Sequence, residues 1–284
     1  MIDAALTAGV EAAVRKAAAE EIMPRWRQLA DEDVTQKAGP HDLVTIADRR
    51  AEAHLAATLP ALLPGSAFVG EEGVHADPGM LAALGGDAPV WIVDPVDGTR
   101  QFVRGEDGFA TLVALAHRGE LLASWTYLPV RDVMATARRG GGALLDGRPL
   151  RSGQPSPGAV LEVATDHPDY VEEERLRPLL RLRTPGVAPR PCGSAGLEYL
   201  HVATGALDAI AFGWENAWDH AAGLLLVTEA GGAHATADGG TFDVTGHNAL
   251  PFAAARDEPT LRRILSLLAG PDPEEAQGLR PGRG

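Results

Sequence analysis

Residues 91–102, "WIVDPVDGTRQF", join an apolar run to two closely spaced carboxylates. Residues 90–93 are continuously apolar, as in a strand covered on both faces. Asp94 follows at the C-terminal end, where open α/β sheets place their ligand sites. Pro95 cannot donate to a strand ladder, so the spacing predicts that the chain turns there. Asp97 stands three residues after Asp94, close enough for the two acids to converge. Gly98 admits a close backbone approach, and Gly98 and Thr99 can present N–H groups to an anion at a helix start. Two such acids repel each other unless a cation lies between them. Oxygen ligands without His or Cys favour Mg2+ or Mn2+. The same acids also suit a turn and a helix N-cap, and this stretch alone leaves both readings open.

Three further acidic points lie outside this stretch. Glu71 and Glu72 follow the apolar run of residues 67–70, where a solvated loop is the plainer reading. Asp219, in "AWDHAAG", stands near a helix start, as an N-cap or as a carboxylate aimed with the helix dipole. Asp48, in "DLVTIAD", suits the first turn of a helix.

The rest of the chain supplies alternating elements. Residues 3–30 read as one long helix that Pro24 kinks or interrupts, and residues 42–45 as a short extended piece. A helix over 46–59 is closed by Pro60 and Pro64. Two β runs within 108–129 flank a turn at His117-Arg118-Gly119-Glu120, and strands with glycine turns continue over 134–150. Residues 151–158, "RSGQPSPG", read as a linker. Strands are expected over 159–165 and 208–213, and helices over 168–183, 193–207, 218–232 and 259–270. This divides the chain into an N-terminal α+β domain (1–150) with most of the metal ligands and a C-terminal α/β domain (151–270) completing the site. Residues 271–284 read as a disordered tail.

Composition narrows the function. The 284 residues carry a formal charge of −14, with no clustered basic patch. Such a chain repels nucleic acid and anionic membrane, and it needs a divalent cation to accept a phosphorylated substrate. The single cysteine, Cys192, excludes an internal disulfide and fits a reducing cytoplasm. Residues 1–23 lack a basic leader, and no apolar run is long enough to span a membrane. The nine histidines never pair at metal-ligand spacing, and His220 reads as a surface or packing residue; Cys192, with no evident base nearby, reads as a packing residue. Asp94 and Asp97 lie one residue too far apart for the Asp-x-Asp-Gly-Thr of haloacid-dehalogenase-type phosphatases.

Taken together, these stretches resemble the inositol monophosphatase superfamily of Mg2+-dependent, lithium-sensitive phosphatases. The resemblance covers most of residues 37–235. It rests on Gly70-Glu71-Glu72, on residues 91–99 with Phe102, on Trp218-Asp219 with Gly223, and on Glu229 to Gly232. Lys37, Asp42 to Thr45 with Asp48, and residues 190–195 support it. It implies an α/β (α+β) fold, the layered αβαβα sandwich of the inositol monophosphatase/fructose-1,6-bisphosphatase type. It implies that Glu71, Asp94 and the Val96 carbonyl hold one Mg2+ and that Asp94, Asp97 and Asp219 hold a second. A third, weaker ion would involve Glu71 and Asp48, and Mn2+ would substitute.

Two ions about 4 Å apart can activate a water and stabilise a leaving alkoxide. By the resemblance, Glu71 and Thr99 orient that water, and Gly98 and Thr99 hold the phosphate. Gly193, Ser194 and Ala195 line the leaving-group side, and Asp97, Asp219 and Lys37 also face the substrate. The family's substrate glutamate falls at Phe212, so Glu215 or Asn216 is expected to replace it, or the alcohol is not inositol. The expected activity is hydrolysis of a small phosphorylated alcohol, inositol-phosphate-like or histidinol-phosphate-like. A nucleotide 3′-phosphate, a sugar bisphosphate or a non-catalytic regulatory role are the alternatives. Relatives are commonly homodimers, and no residue here decides that state.

Overall fold

The computed structural model describes residues 2–37 and 43–270. The expectations for Asp42 and for a disordered tail over 271–284 fall outside these residues.

Helix α1 (Ala4–Ala17) opens under Asp3, whose carboxylate accepts the Leu6 N–H at 2.8 Å. A π-helical turn (Ala18–Ile22) extends it, and the chain leaves the helix before Pro24. Pro24 has no N–H for the Glu20 carbonyl one turn back; Arg25 Nη1 reaches that carbonyl at 3.4 Å and the Glu21 carbonyl at 2.6 Å. The single helix expected over 3–30 is therefore shorter.

Strands β1 (Val34–Gln36) and β2 (Leu43–Thr45) form an antiparallel ribbon. Helix α2 (Ile46–Leu62) starts with a capping box between Thr45 and Asp48. It runs past Pro60, contrary to the expected stop, because a proline in the last turn sacrifices little of the ladder. Strand β3 (Ala67–Gly70) leads into helix α3 (Glu71–Ala76). Glu71 and Glu72 thus form a first helical turn rather than a loop.

Strand β4 (Val90–Asp97) contains Pro95, so the expected turn there does not occur. Asp94 pairs with Leu112 and Asp97 with Ala110, three steps on one strand against two on the other. This bulge seats a residue that has no N–H to give. Helix α4 (Thr99–Val103) follows Gly98, whose φ of 89° turns the chain into it. Strands β5 (Ala110–His117) and β6 (Glu120–Leu128) form the expected hairpin. Its turn residues Arg118 and Gly119 both have positive φ. Strands β7 (Val133–Arg138), β8 (Gly142–Leu145) and β9 (Arg148–Leu150) complete a seven-stranded sheet in sequence order from β3 to β9.

The later residues form β10 (Leu161–Thr165), α5 (Glu173–Leu180), β11 (Val187–Pro191), α6 (Ala195–Thr204), β12 (Ala209–Phe212) and α7 (Ala217–Glu229). They end with β13 (Ala233–Thr236), β14 (Phe252–Ala255) and α8 (Glu258–Ala269). The second sheet has the order β11-β10-β12-β14-β13. Strands β11, β13 and β14 were not among the expected elements.

The layers follow from side-chain alternation along each strand. Trp91, Val93, Val113 and Leu115 pack with Val10, Val14, Leu55 and Leu59 of α1 and α2. Val90, Ile92, Leu112 and Ala114 face the opposite way, into a core with α6 and α7. The far side of the second sheet packs on α5 and α8 through Leu179, Leu261 and Ile264. The result is the αβαβα sandwich. Among the described residues, no helix is long and apolar enough to cross a membrane.

Candidate metal centre and active site

The bulge in β4 creates the site. On a regular strand, residues three apart point to opposite faces. The slipped residue gives Asp94 and Asp97 partners two apart on β5, so both carboxylates emerge on the α6/α7 side. Asp219, at the third position of α7, meets them there. Asn216 takes the N-cap position, so Asp219 is not the cap of its helix. Ligand atoms of Asp94, Asp97 and Asp219 lie within 4.8 Å of one another.

This group is electrostatically unstable on its own. Asp94 is only 2% exposed. Burial, then Glu71, Asp97 and Asp219, push its pKa well above the usual carboxylate range. Burial also pushes Asp219 up to about 8, with Glu71 and Asp97 adding to the effect. Asp97 rises only to about 6 because hydrogen bonds offset its burial. Its carboxylate accepts the Ser194 hydroxyl, the Ala195 N–H at 2.9 Å and the Gly196 N–H at 2.7 Å. Asp97 is thereby bolted to the start of α6. A dense, buried, all-oxygen donor set is what a hard divalent cation requires, and these residues fit one.

The acids open into a cleft of about 670 Å³ that Glu71, Thr99, Gly193 and Ala195 also line. Lys37 Nζ lies 2.7 Å from Glu71 and 2.6 Å from Glu72. It pairs with these two glutamates and is not among the residues that line the cleft. Burial opposes its charge, but the two glutamates prevail and raise its pKa. Thr99 Oγ1 lies 3.0 Å from the Val96 carbonyl and 3.3 Å from Asp48 Oδ1.

Other expected residues are placed differently. Asp48 is fully buried and does not join the three-acid group. Its Oδ2 accepts the Thr45 N–H at 2.8 Å and caps α2, and burial raises its pKa to about 7. Ser194 holds Asp97 and caps α6 rather than lining the cleft. Glu215 Oε2 accepts both the N–H and the side-chain amide of Asn248 at 2.8 Å, and it is not a cleft residue. Asn216 does line the cleft and donates to Asp219 at 3.1 Å. His220 packs in the core: its ring nitrogens contact the Tyr199 hydroxyl at 3.1 Å and the Trp214 carbonyl at 3.0 Å. Burial lowers its pKa to about 3, so the ring is neutral.

Sequence reasoning missed Glu52, and it raised Trp214 only as a packing residue that could contact substrate. Glu52, on α2, accepts the Glu72 N–H at 2.8 Å and the Gly73 N–H at 2.7 Å, fixing the turn that carries Glu71. An acid four residues after Asp48, on the same helix face, was the available signal. Trp214 Nε1 donates to Asp219 Oδ2 at 2.9 Å. No local pattern in "FGWENAW" marks that contact.

Comparison with known proteins agrees with this geometry. The model of the "Inositol monophosphatase family" matches residues 3–267. An inositol-1-monophosphatase of Rhizobium meliloti (strain 1021) is 39% identical over 210 residues, 71% of this chain and 75% of that protein. The Nus factor SuhB of Pseudomonas aeruginosa is also 39% identical, over 203 residues, 67% of this chain and 71% of its own length. The crystal structure of the suppressor protein suhB from Bartonella henselae superposes with a TM-score of 0.81 at 28% identity, covering 95% of this chain and all of that one. A sheet bulge that gathers buried acids at a cleft, within a matching layered fold and sequence, leads to one conclusion: the chain belongs to the inositol monophosphatase family of metal-dependent phosphomonoesterases.

Proposed function

We propose that this protein hydrolyses the phosphate monoester of a small alcohol, with Mg2+ held by Asp94, Asp97, Asp219 and Glu71. The observation that carries the reading is the convergence of two buried carboxylates and one half-buried carboxylate in the lining of a cleft. Bound there, divalent cations supply Lewis acidity to the phosphoryl oxygens and make water a better nucleophile at neutral pH. Glu71, held by Lys37, and the Thr99 hydroxyl orient the attacking water. The Gly98 and Thr99 N–H groups, at the start of α4, hold the phosphate oxygens. The alcohol departs past Asp219 along the wall formed by Gly193 and Ala195. The lone Cys192 supports a place in the reducing cytoplasm.

The test is Mg2+-dependent phosphate release from a panel of inositol 1-phosphate, histidinol phosphate, fructose 1,6-bisphosphate and 3′-AMP. Asp94→Asn should lower any such turnover at least a thousandfold while circular dichroism stays unchanged. Equal turnover by the variant would refute the assignment. The relative named as a Nus factor supports a second reading, a regulatory role without catalysis. That reading predicts that Asp94→Asn restores the phenotype of a deletion strain in full.

A further inference from the structure

Resting on the phosphatase reading, we infer that the leaving-group wall selects alcohols that carry a flat ring over polyols. Trp214 lines the cleft beside Asp219. Its ring lies on that of the fully buried Phe212, with centroids 4.2 Å apart and planes tilted by 34°. Its Nε1 is tied to Asp219 Oδ2 at 2.9 Å. The indole is therefore packed on Phe212 and, at 5.1 Å between centroids, on His220, and its only donor is spent on the acid. What remains for the cleft is apolar ring surface, held rigidly next to a member of the acid group. A flat ring gains from stacking on such a plate, and the plate needs no reorganisation to receive it. His167 and Tyr170, edge to face at 5.6 Å, add aromatic surface to the same cleft.

A polyol needs partners for its hydroxyls; most of the nearby acids already hold protein groups, while Gln101 Oε1 in the cleft lining has none among the described residues. Asp166 accepts the Gly213 N–H at 2.9 Å. Asp169 is paired with Arg100 at 2.7 Å. Glu215 is taken up by Asn248. Glu172, the other carboxylate along this part of the cleft, is exposed. A sugar-like ring would leave hydroxyls facing the indole, and that mismatch is what discriminates.

The experiment measures kcat and KM of the full chain with Mg2+ on 2-phenylethyl phosphate, inositol 1-phosphate and β-glycerophosphate. All three are alkyl esters of similar intrinsic reactivity. The expected kcat/KM for 2-phenylethyl phosphate is at least about tenfold above the other two. Trp214→Leu should erase that preference, mainly through a higher KM for the phenyl ester. Trp214→Phe should keep the preference while lowering all three esters together, because it loses only the bond to Asp219. Equal or better turnover of inositol 1-phosphate by the wild type would overturn the inference. So would a Trp214→Leu variant that lowers every ester by the same factor. Absence of turnover on all three, and on the panel above, would instead bring down the phosphatase reading and this inference with it.

Discussion

Lys37 Nζ sits between two carboxylates of one helical turn, 2.7 Å from Glu71 and 2.6 Å from Glu72. The lysine side chain is only 4% exposed. Removing one member of a buried ion cluster leaves its partners uncompensated and typically costs about 3–5 kcal/mol. Lys37→Met should therefore lower the melting temperature in chelator and lower kcat/KM at least tenfold, because Glu71 loses its anchor. Mg2+ should narrow the gap in melting temperature by supplying the missing charge. Wild-type kcat/KM in the variant would show that Glu71 needs no such hold.

The acid cluster makes stability depend on pH in an unusual direction. Burial pushes the Asp219 pKa up to about 8 in the fold, above the ordinary value of 3.8, so the folded chain binds more protons than the unfolded one. Its contribution is complete below the unfolded value and is lost as pH rises through the folded one. The slope is at most about 1.4 kcal/mol per pH unit for one group. In chelator, Asp219→Asn should gain stability over the wild type as pH rises from 5 to 8. Excess Mg2+ should reverse that difference, since the ion binds the folded wild type more tightly. Melting temperatures against pH, with and without metal, decide it. A difference that stays flat in chelator would mean the acids do not repel as described.

Ser194 has two tasks, donating to Asp97 and accepting the Leu197 N–H at 3.3 Å as the cap of α6. Ser194→Ala removes both and should cost about 1–2 kcal/mol. The urea midpoint should fall with an unchanged slope. An unshifted midpoint would remove Ser194 from the joint between β4 and α6.

Helices α6 and α7 touch at Gly223, where a built Cβ would lie 2.1 Å from the Tyr199 ring. That ring is fully buried and has no room to move. Gly223→Ala should cost about 1–3 kcal/mol or more. Because Tyr199 also contacts His220, next to Asp219, turnover should fall with stability. An alanine variant of native stability would mean that the helices can separate.

The first sheet was largely readable before any coordinates. Its strands carry long apolar or β-branched runs, and Arg118-Gly119 and Asp146-Gly147 mark turns with positive φ. The acids were readable for a related reason: each stands where a strong local pattern ends. Strands β13 and β14 escaped because "AHAT" and "FAAA" have little local β signal, and pairing within the second sheet makes them strands. Pro95 misled because a proline within a strand signals a stop unless the register slips, and register belongs to two strands at once. Asp166, and the bond from Trp214 to Asp219, escaped because both residues lie beside strand ends in loops whose placement only the tertiary fold decides. His220 is the converse case: a surface or packing role was expected, and the fold decides for packing with a wholly buried, neutral ring.

The meeting of Asp94 and Asp97 is finally a matter of parity. Three steps on their own strand answer two on the neighbour, and that odd surplus turns a residue that would face α1 and α2 toward the cleft. The information is held in a count rather than in an identity. Exchanges at Val96 that preserve length leave the count intact, whereas loss of a single residue between the two aspartates would close the bulge, leaving the acids on one face but without the displaced backbone between them. The surplus residue therefore also sets where the Val96 carbonyl meets the Thr99 hydroxyl.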